Sequence, residues 1–235
     1  MAHPFVRIPK AVWQATLDLV FPPKCVSCGT AGDIWCPACD QSLQRLSGAM
    51  CTWCGRPVET GHLCAACQRQ PSPLRVRSYA RYKPPLVSAI LMLKYQPNRQ
   101  LARRMAGWLA ELLERAAWRA EMVVPVPLAP DRLRRRGYNQ AGLIAAELAE
   151  LLHLPPAPEA LVRARETRTQ VGLAPEERWR NVRGAFLADP ALAKGRLILL
   201  VDDLYTTGAT LSACAEALYE AGGGEVFGLT VGRAG

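Results

Sequence analysis

The chain has 235 residues and a mass of 25.7 kDa, and half of its residues are hydrophobic. That is enough for a buried core and excludes wholesale disorder. The 29 basic and 20 acidic side chains give a formal net charge of +9, and no segment approaches the roughly 18 consecutive apolar residues that a membrane span needs.

Residues 1–21 carry Val12, Trp13, Leu17, Val20 and Phe21, interrupted by Arg7, Lys10 and Asp18. No small-residue cleavage site follows, so a short amphipathic helix packed on its own protein is expected rather than a signal peptide. A cytoplasmic location follows from that reading. In such a compartment, paired cysteines suggest metal rather than disulfides.

Eight of the nine cysteines form four pairs: Cys25 with Cys28, Cys36 with Cys39, Cys51 with Cys54, and Cys64 with Cys67. Each CxxC pair bends the backbone into a knuckle that presents two thiolates, and two knuckles complete a tetrahedral zinc shell. Gly29 and Gly55 follow two of the pairs, where a tight turn prefers glycine. Sequential pairing gives two structural Zn²⁺ sites, Cys25, Cys28, Cys36, Cys39 and Cys51, Cys54, Cys64, Cys67. The shorter loops favour it over an interleaved arrangement, which remains open. An iron–sulfur cluster or a redox dithiol is the functional alternative. His62 reads as a surface residue. The clustering predicts a small module over residues 1–70 ahead of a larger one over 71–235.

Prolines punctuate the connector after residue 70, and 75–81 reads as one edge strand. Residues 86–94 form an apolar helical stretch. Leu101, Met105, Trp108, Leu109, Leu112 and Leu113 recur at helical spacing, which predicts an amphipathic helix over 100–119. A short buried strand is expected at 122–126, a helix at 140–152, and an inner strand at 196–201. A helix over 209–221 is stopped by Gly222, Gly223 and Gly224, and a last strand covers 225–231. Strands alternating with helices predict a parallel α/β sheet.

The charge is uneven. Residues 71–140 hold 14 basic and 4 acidic side chains, so the whole excess lies in this block. Such a stripe attracts phosphates, on a nucleotide or on a nucleic-acid backbone, or else forms a solvated helix face.

The segment from Leu197 to Leu211 is the most informative. An apolar strand delivers Asp202 and Asp203 at its C-terminal end, and Thr206, Thr207, Gly208 and Thr210 open the next helix. Ligands of open α/β sheets bind outside the C-terminal strand ends. Amides at a helix start, with threonine hydroxyls and an unhindered glycine, cradle a phosphate. Neighbouring carboxylates suit vicinal sugar hydroxyls. The segment therefore reads as a site for a ribose carrying a 5-phosphate. It is not a Walker loop, because the Gly-Lys-Ser/Thr ending is missing.

This segment resembles the phosphoribosyl-pyrophosphate (PRPP) signature of type I phosphoribosyltransferases. Together with Val124-Pro125-Val126-Pro127, Arg136-Gly137-Tyr138-Asn139-Gln140, Arg168-Thr169-Gln170, Arg178 and Asn181, and the cysteine knuckles, it makes nearly the whole chain resemble the ComF family, also called competence protein F or GntX-like. The resemblance implies an α/β, parallel-sheet type I phosphoribosyltransferase-like fold with a small N-terminal double zinc ribbon. It implies that Asp202 and Asp203 hold the ribose hydroxyls. Leu204, Tyr205, Thr206, Thr207, Gly208, Ala209 and Thr210 would then hold the 5-phosphate, with Mg²⁺ on the pyrophosphate. Arg134, Arg135 and Arg136 would meet pyrophosphate or DNA phosphates, and Arg168 would close over the ligand from a loop or hood within 163–183.

The implied activity is a competence factor that handles single-stranded DNA with a helicase partner during natural transformation. The alternatives are an active phosphoribosyltransferase in salvage or repair, and a zinc-organised interaction module without catalysis. A complete glutamine amidophosphoribosyltransferase is not expected, because Met1 is followed by Ala2 and the clustered cysteines are committed to metal. Cys214 reads as a small core residue, and Tyr138 as either a base-stacking ring or a wedge in a turn.

Overall fold

The computed structural model describes residues 22–69, 72–165 and 174–235. The helix expected within residues 1–21, and Arg168, Thr169 and Gln170, lie outside these. Among the described residues there are six strands: β1 (Arg75–Arg81), β2 (Met122–Pro125), β3 (Leu161–Arg163), β4 (Phe186–Ala188), β5 (Ile198–Tyr205) and β6 (Val226–Arg233). Four of them form one sheet in the order β1-β6-β5-β2, with every pairing parallel. The parallel α/β sheet expected from the sequence is present.

The helices are α1 (Pro37–Gln41), α2 (Ala65–Arg69), α3 (Leu86–Tyr95), α4 (Arg99–Ala116), α5 (Pro130–Arg136), α6 (Gln140–Leu152), α7 (Pro175–Val182), α8 (Pro190–Ala193) and α9 (Ala209–Glu220). Strand side chains alternate faces, so the inner strands feed two separate cores. Val123, Leu199, Val201, Phe227 and Leu229 pack with α3, α4 and α6. Val124, Ile198, Leu200 and Val226 pack with α9 on the opposite face. The stripe Leu101, Met105, Leu109 and Leu112 of α4 is buried as its spacing predicts, each leucine contributing about 2 kcal/mol. Asn98 caps α4 by accepting from the Leu101 amide at 2.8 Å, and Asn139 caps α6 by accepting from the Ala141 amide at 3.1 Å.

The cysteine module wraps the outer edge of the sheet. Cys25, Cys36 and Cys39 of its first set join the core on the α4 face, Cys28 staying exposed, and all four of its second set join the core on the α9 face. Between them the backbone pairs with β1. The Leu46 amide donates to the Tyr79 carbonyl at 2.9 Å, the Arg81 amide to the Gln44 carbonyl at 2.9 Å, and the Val76 amide to the Trp53 carbonyl at 2.6 Å. An edge strand left open is a template for unwanted pairing, and here the edge is closed by the chain's own module.

The first knuckle is held on α4 by aromatic rings and one carboxylate. Tyr79 stacks on Trp108 with centroids 5.3 Å apart, and Trp35 meets Trp108 edge-on at 5.5 Å. Asp40 Oδ1 accepts from both indoles, Trp35 Nε1 at 3.1 Å and Trp108 Nε1 at 3.2 Å. Arg45 and Arg104 pair with the same carboxylate.

Several elements differ from the sequence expectation. β5 runs four residues beyond 201, because its pairing with β6 continues as Asp202 with Thr230 and Tyr205 with Arg233. The acidic pair therefore lies within the paired strand. The antiparallel pair β3–β4 and the short helices α5, α7 and α8 carry no long apolar period and were not expected. No helix among the described residues is long and apolar enough to cross a membrane.

Candidate functional site

The eight clustered cysteines gather as Cys25, Cys28, Cys36, Cys39 and as Cys51, Cys54, Cys64, Cys67, with the sulfurs of each set all within 4.8 Å of one another. This is the sequential pairing. Cys25 and Cys39 Sγ lie 3.6 Å apart, Cys28 and Cys36 3.5 Å, and Cys54 and Cys64 3.7 Å. A tetrahedron of sulfurs around an ion at the usual zinc–sulfur distance of about 2.3 Å has edges of about 3.8 Å, so both sets fit structural Zn²⁺. His62 is exposed and belongs to neither set.

The second set has a cationic neighbour. Arg233, at the end of β6, is 2% exposed. It donates to the Cys54 carbonyl at 2.5 Å, and its Nη2 lies 3.6 Å from Cys54 Sγ. No carboxylate pairs with it among the described residues. A guanidinium so buried needs a counter-charge, and four thiolates on one divalent ion supply a formal charge of about −2. On its other side the Arg233 guanidinium lies 4.2 Å from the centre of the Tyr205 ring.

Tyr205 leads to the loop between β5 and α9. Gly208 caps α9 with φ +85°, and a Cβ there would fall 2.4 Å from the Tyr205 hydroxyl oxygen. Only glycine satisfies both demands. Thr207 Oγ1 accepts from the Ala209 amide at 3.4 Å. Tyr205 and Ala209 are buried, so they shape the loop from behind. Thr206, Thr210 and Leu204 face outward into a hollow of about 550 Å³.

Asp202 and Asp203 open into the same hollow. Being adjacent on a strand, they leave the backbone toward opposite faces. Asp203 turns toward α3 and α6, where Lys94 Nζ lies 2.9 Å from its Oδ2 and Gln140 Nε2 donates to its Oδ1 at 3.3 Å. The Asp203 amide donates to Asp202 Oδ1 at 2.8 Å. At Asp203, burial pushes the carboxyl up, but the Lys94 ammonium and the surrounding hydrogen bonds outweigh it and hold the group below the usual carboxylate range. At Asp202, burial and the neighbouring Asp203 charge act together and raise the group well above that range. Two neighbouring carboxyls thus favour opposite protonation states.

Arg132, Arg136, Arg163 and Arg178 complete the walls. Of the three arginines singled out from the sequence, Arg136 faces the hollow and hydrogen-bonds Gln140. Arg135 is exposed and lines an adjoining hollow, while Arg134 is exposed and paired with Asp131 of its own helix. Lys94 and Arg163 were missed. Lys94 had a signal, since it is the one charged residue in the ten of α3. Arg163 fell at the start of the segment read as a loop or hood but was not singled out, because nothing local marks β3. Asn139 also serves the site by donating to the Val126 carbonyl at 2.9 Å, which fixes the turn after β2. Tyr138 is a wedge: its hydroxyl donates to the Leu93 carbonyl at 2.9 Å. Cys214 is fully buried, and burial holds its thiol well above the usual range, as suits a core residue. A larger depression of about 1120 Å³, between the first knuckle and α4, shares no lining residue with the acidic hollow.

A double zinc ribbon domain model matches residues 16–68. Among curated proteins, DNA utilization protein YhgH of Escherichia coli K12 is 34% identical over 200 residues, covering 81% of this chain and 86% of that protein. Competence protein F of Haemophilus influenzae is 32% identical over 216 residues, covering 81% and 93%. Competence protein ComFC of Bacillus subtilis is 28% identical over 195 residues, covering 80% and 78%. Among solved structures, the glutamine phosphoribosylpyrophosphate (PRPP) amidotransferase from B. subtilis, complexed with ADP and GMP, aligns with 60% of this chain and 30% of its own, at 23% identity and a TM-score of 0.40. The zinc ribbon and the likeness to the first two proteins, over most of each length, make this chain a member of the ComF family.

Proposed function

We propose that this chain is a ComF-like competence factor whose hollow binds PRPP or a related ribose phosphate, and which handles single-stranded DNA during natural transformation. The observation that carries the reading is the convergence of Asp202, Asp203, Thr206 and Thr210 with Lys94, Arg132, Arg136, Arg163 and Arg178 around one cavity. Carboxyls suit sugar hydroxyls, the loop suits a monophosphate, and the arginines suit a diphosphate. Asp203, held charged by Lys94, accepts from a ribose hydroxyl. Asp202, held protonated over a wider range, both donates and accepts. Mg²⁺ bound with the substrate would supply neutralisation of its diphosphate charge.

A second reading, transfer of the ribose phosphate to a nitrogen acceptor with loss of pyrophosphate, is favoured by this split pair of carboxyls. In it, Arg136 and Arg178 would stabilise the departing charge, and Arg168 would close over the ligand.

Calorimetric titration with PRPP and Mg²⁺, run beside a single-stranded oligonucleotide, tests the reading. PRPP should bind at one site in a Mg²⁺-dependent manner. Asp202→Asn combined with Asp203→Asn should abolish this and spare oligonucleotide affinity. Equal loss of both affinities, or loss of neither, would overturn it. Oligonucleotide binding should also weaken steeply with salt.

A further inference from the structure

The hollow holding the acidic pair adjoins a second one of about 360 Å³, and Lys94, Arg132 and Arg136 line both. The two adjoin at these cations as an inner and an outer lobe with different chemistry. The inner lobe carries the carboxylates. The outer lobe adds Arg135 and Tyr95 and has no acidic residue in its lining.

Tyr95 is 79% exposed. It is presented from a fixed corner. The Gln96 amide closes α3 on the Met92 carbonyl at 2.8 Å, and the Tyr138 hydroxyl pins the Leu93 carbonyl. The preceding residue, Lys94, is anchored on Asp203. A large ring is thus held open to solvent next to Lys94, which also lines the inner lobe. The other residues lining the outer lobe are all cations. A planar π-face beside a track of guanidinium groups matches a nucleotide unit, in which an aromatic base is joined through its sugar to phosphates.

We propose that the outer lobe is a base-stacking subsite for single-stranded DNA, with Tyr95 as the platform and Arg132, Arg135 and Arg136 on the flanking phosphates. This rests on the DNA-handling reading above and adds to it a place: the strand passes the mouth of the ribose-phosphate pocket. Strand and ribose phosphate then meet at Arg132 and Arg136, which line both lobes.

The test uses the full chain, an end-labelled oligodeoxythymidylate and an abasic oligonucleotide of the same length, at fixed moderate salt. Tyr95→Ala should weaken thymidylate binding about tenfold and leave the abasic strand unaffected, since only the former has a base to stack. Tyr95→Trp should bind thymidylate at least as tightly as the parent, with its added fluorescence changed on binding. The side chain is exposed, so an unaltered thermal midpoint is expected for both variants.

Equal thymidylate affinity for parent and Tyr95→Ala would remove the subsite while leaving DNA handling intact. Equal weakening toward both oligonucleotides would make Tyr95 an organiser of phosphate contacts and overturn stacking. Competition by free thymine as strong as by the strand would reassign the lobe to a free base and overturn the proposal. Absence of binding by the parent to either strand would bring down the DNA reading, and the subsite with it.

Discussion

Arg233 and Cys54, 179 positions apart in sequence, meet in the interior. The guanidinium holds the Cys54 carbonyl and lies against its sulfur, so the last strand of the sheet ends on the second metal centre. Arg233→Met keeps much of the volume and removes the charge. It should destabilise the fold by about 3 kcal/mol, the scale for one partner lost from a buried pair. Chemical denaturation measures this. Zinc transfer to a chromophoric chelator should be faster from one of the two sites and unchanged from the other.

Gly208→Ala tests the loop. The substitution must adopt φ +85° and place a methyl carbon 2.4 Å from the Tyr205 hydroxyl oxygen. Left-handed backbone alone costs about 1 kcal/mol for a residue with a Cβ. The clash adds to this by pushing the ring or the loop. A lower thermal midpoint, and weaker binding of ribose 5-phosphate with no change in zinc content, are the expected results.

The acidic pair should show two opposite pH dependences. Asp203 has its folded pKa below the unfolded value of about 3.9. Its contribution to stability is therefore present above that value and lost as pH falls through the folded pKa. Asp202 has its folded pKa raised. The unfolded chain gives up this proton first, so the stability cost of Asp202 grows as pH rises above about 3.9 and stays at its full value once the folded pKa is passed. Asp202→Asn should consequently raise the thermal midpoint at pH 7 and change it little near pH 3. Asp203→Asn should lower the midpoint at pH 7. Scanning calorimetry between pH 3 and pH 8 reads both signs.

Asp40→Ala addresses the other knuckle. One carboxylate serves two indole donors and two arginines. Its removal strands Trp35 and Trp108 N–H groups against a buried aromatic cluster, at a cost of about 2–3 kcal/mol. The loss should appear as a lower denaturant midpoint and as a change in tryptophan emission. Asp40→Asn, which keeps an acceptor oxygen, should recover part of the stability.

Much of the fold was legible because burial imposes period. The 3–4 spacing of Leu101, Met105, Leu109 and Leu112 marked α4, and Ile198 to Val201 marked an inner strand. The strand's true end was hidden, since Asp202 and Asp203 break the apolar run while the backbone goes on pairing with β6. Charge beyond an apolar stretch reads as an end, although hydrogen bonding does not stop there. β3 and β4 are three residues each, too short for any period. Loop length favoured the sequential cysteine pairing, with the interleaved one left open, and the sulfurs gather in the sequential sets. That the module would close the edge of β1 was not legible, because the contacts run through backbone groups of Gln44, Leu46 and Trp53 that carry no side-chain signature. Lys94 was the readable omission: a lone cation closing an apolar helix has to find an anion, and Asp203 was already in view.

The seam along β1 has a practical consequence for anyone shortening this protein. A fragment begun at residue 72 would keep every strand of the sheet, yet leave the Val76 and Arg81 amides without acceptors and Arg233 without its anion. Such a piece is expected to self-associate through the bared strand, so the metal knuckles behave as the selvage of the fabric rather than as an ornament sewn to it.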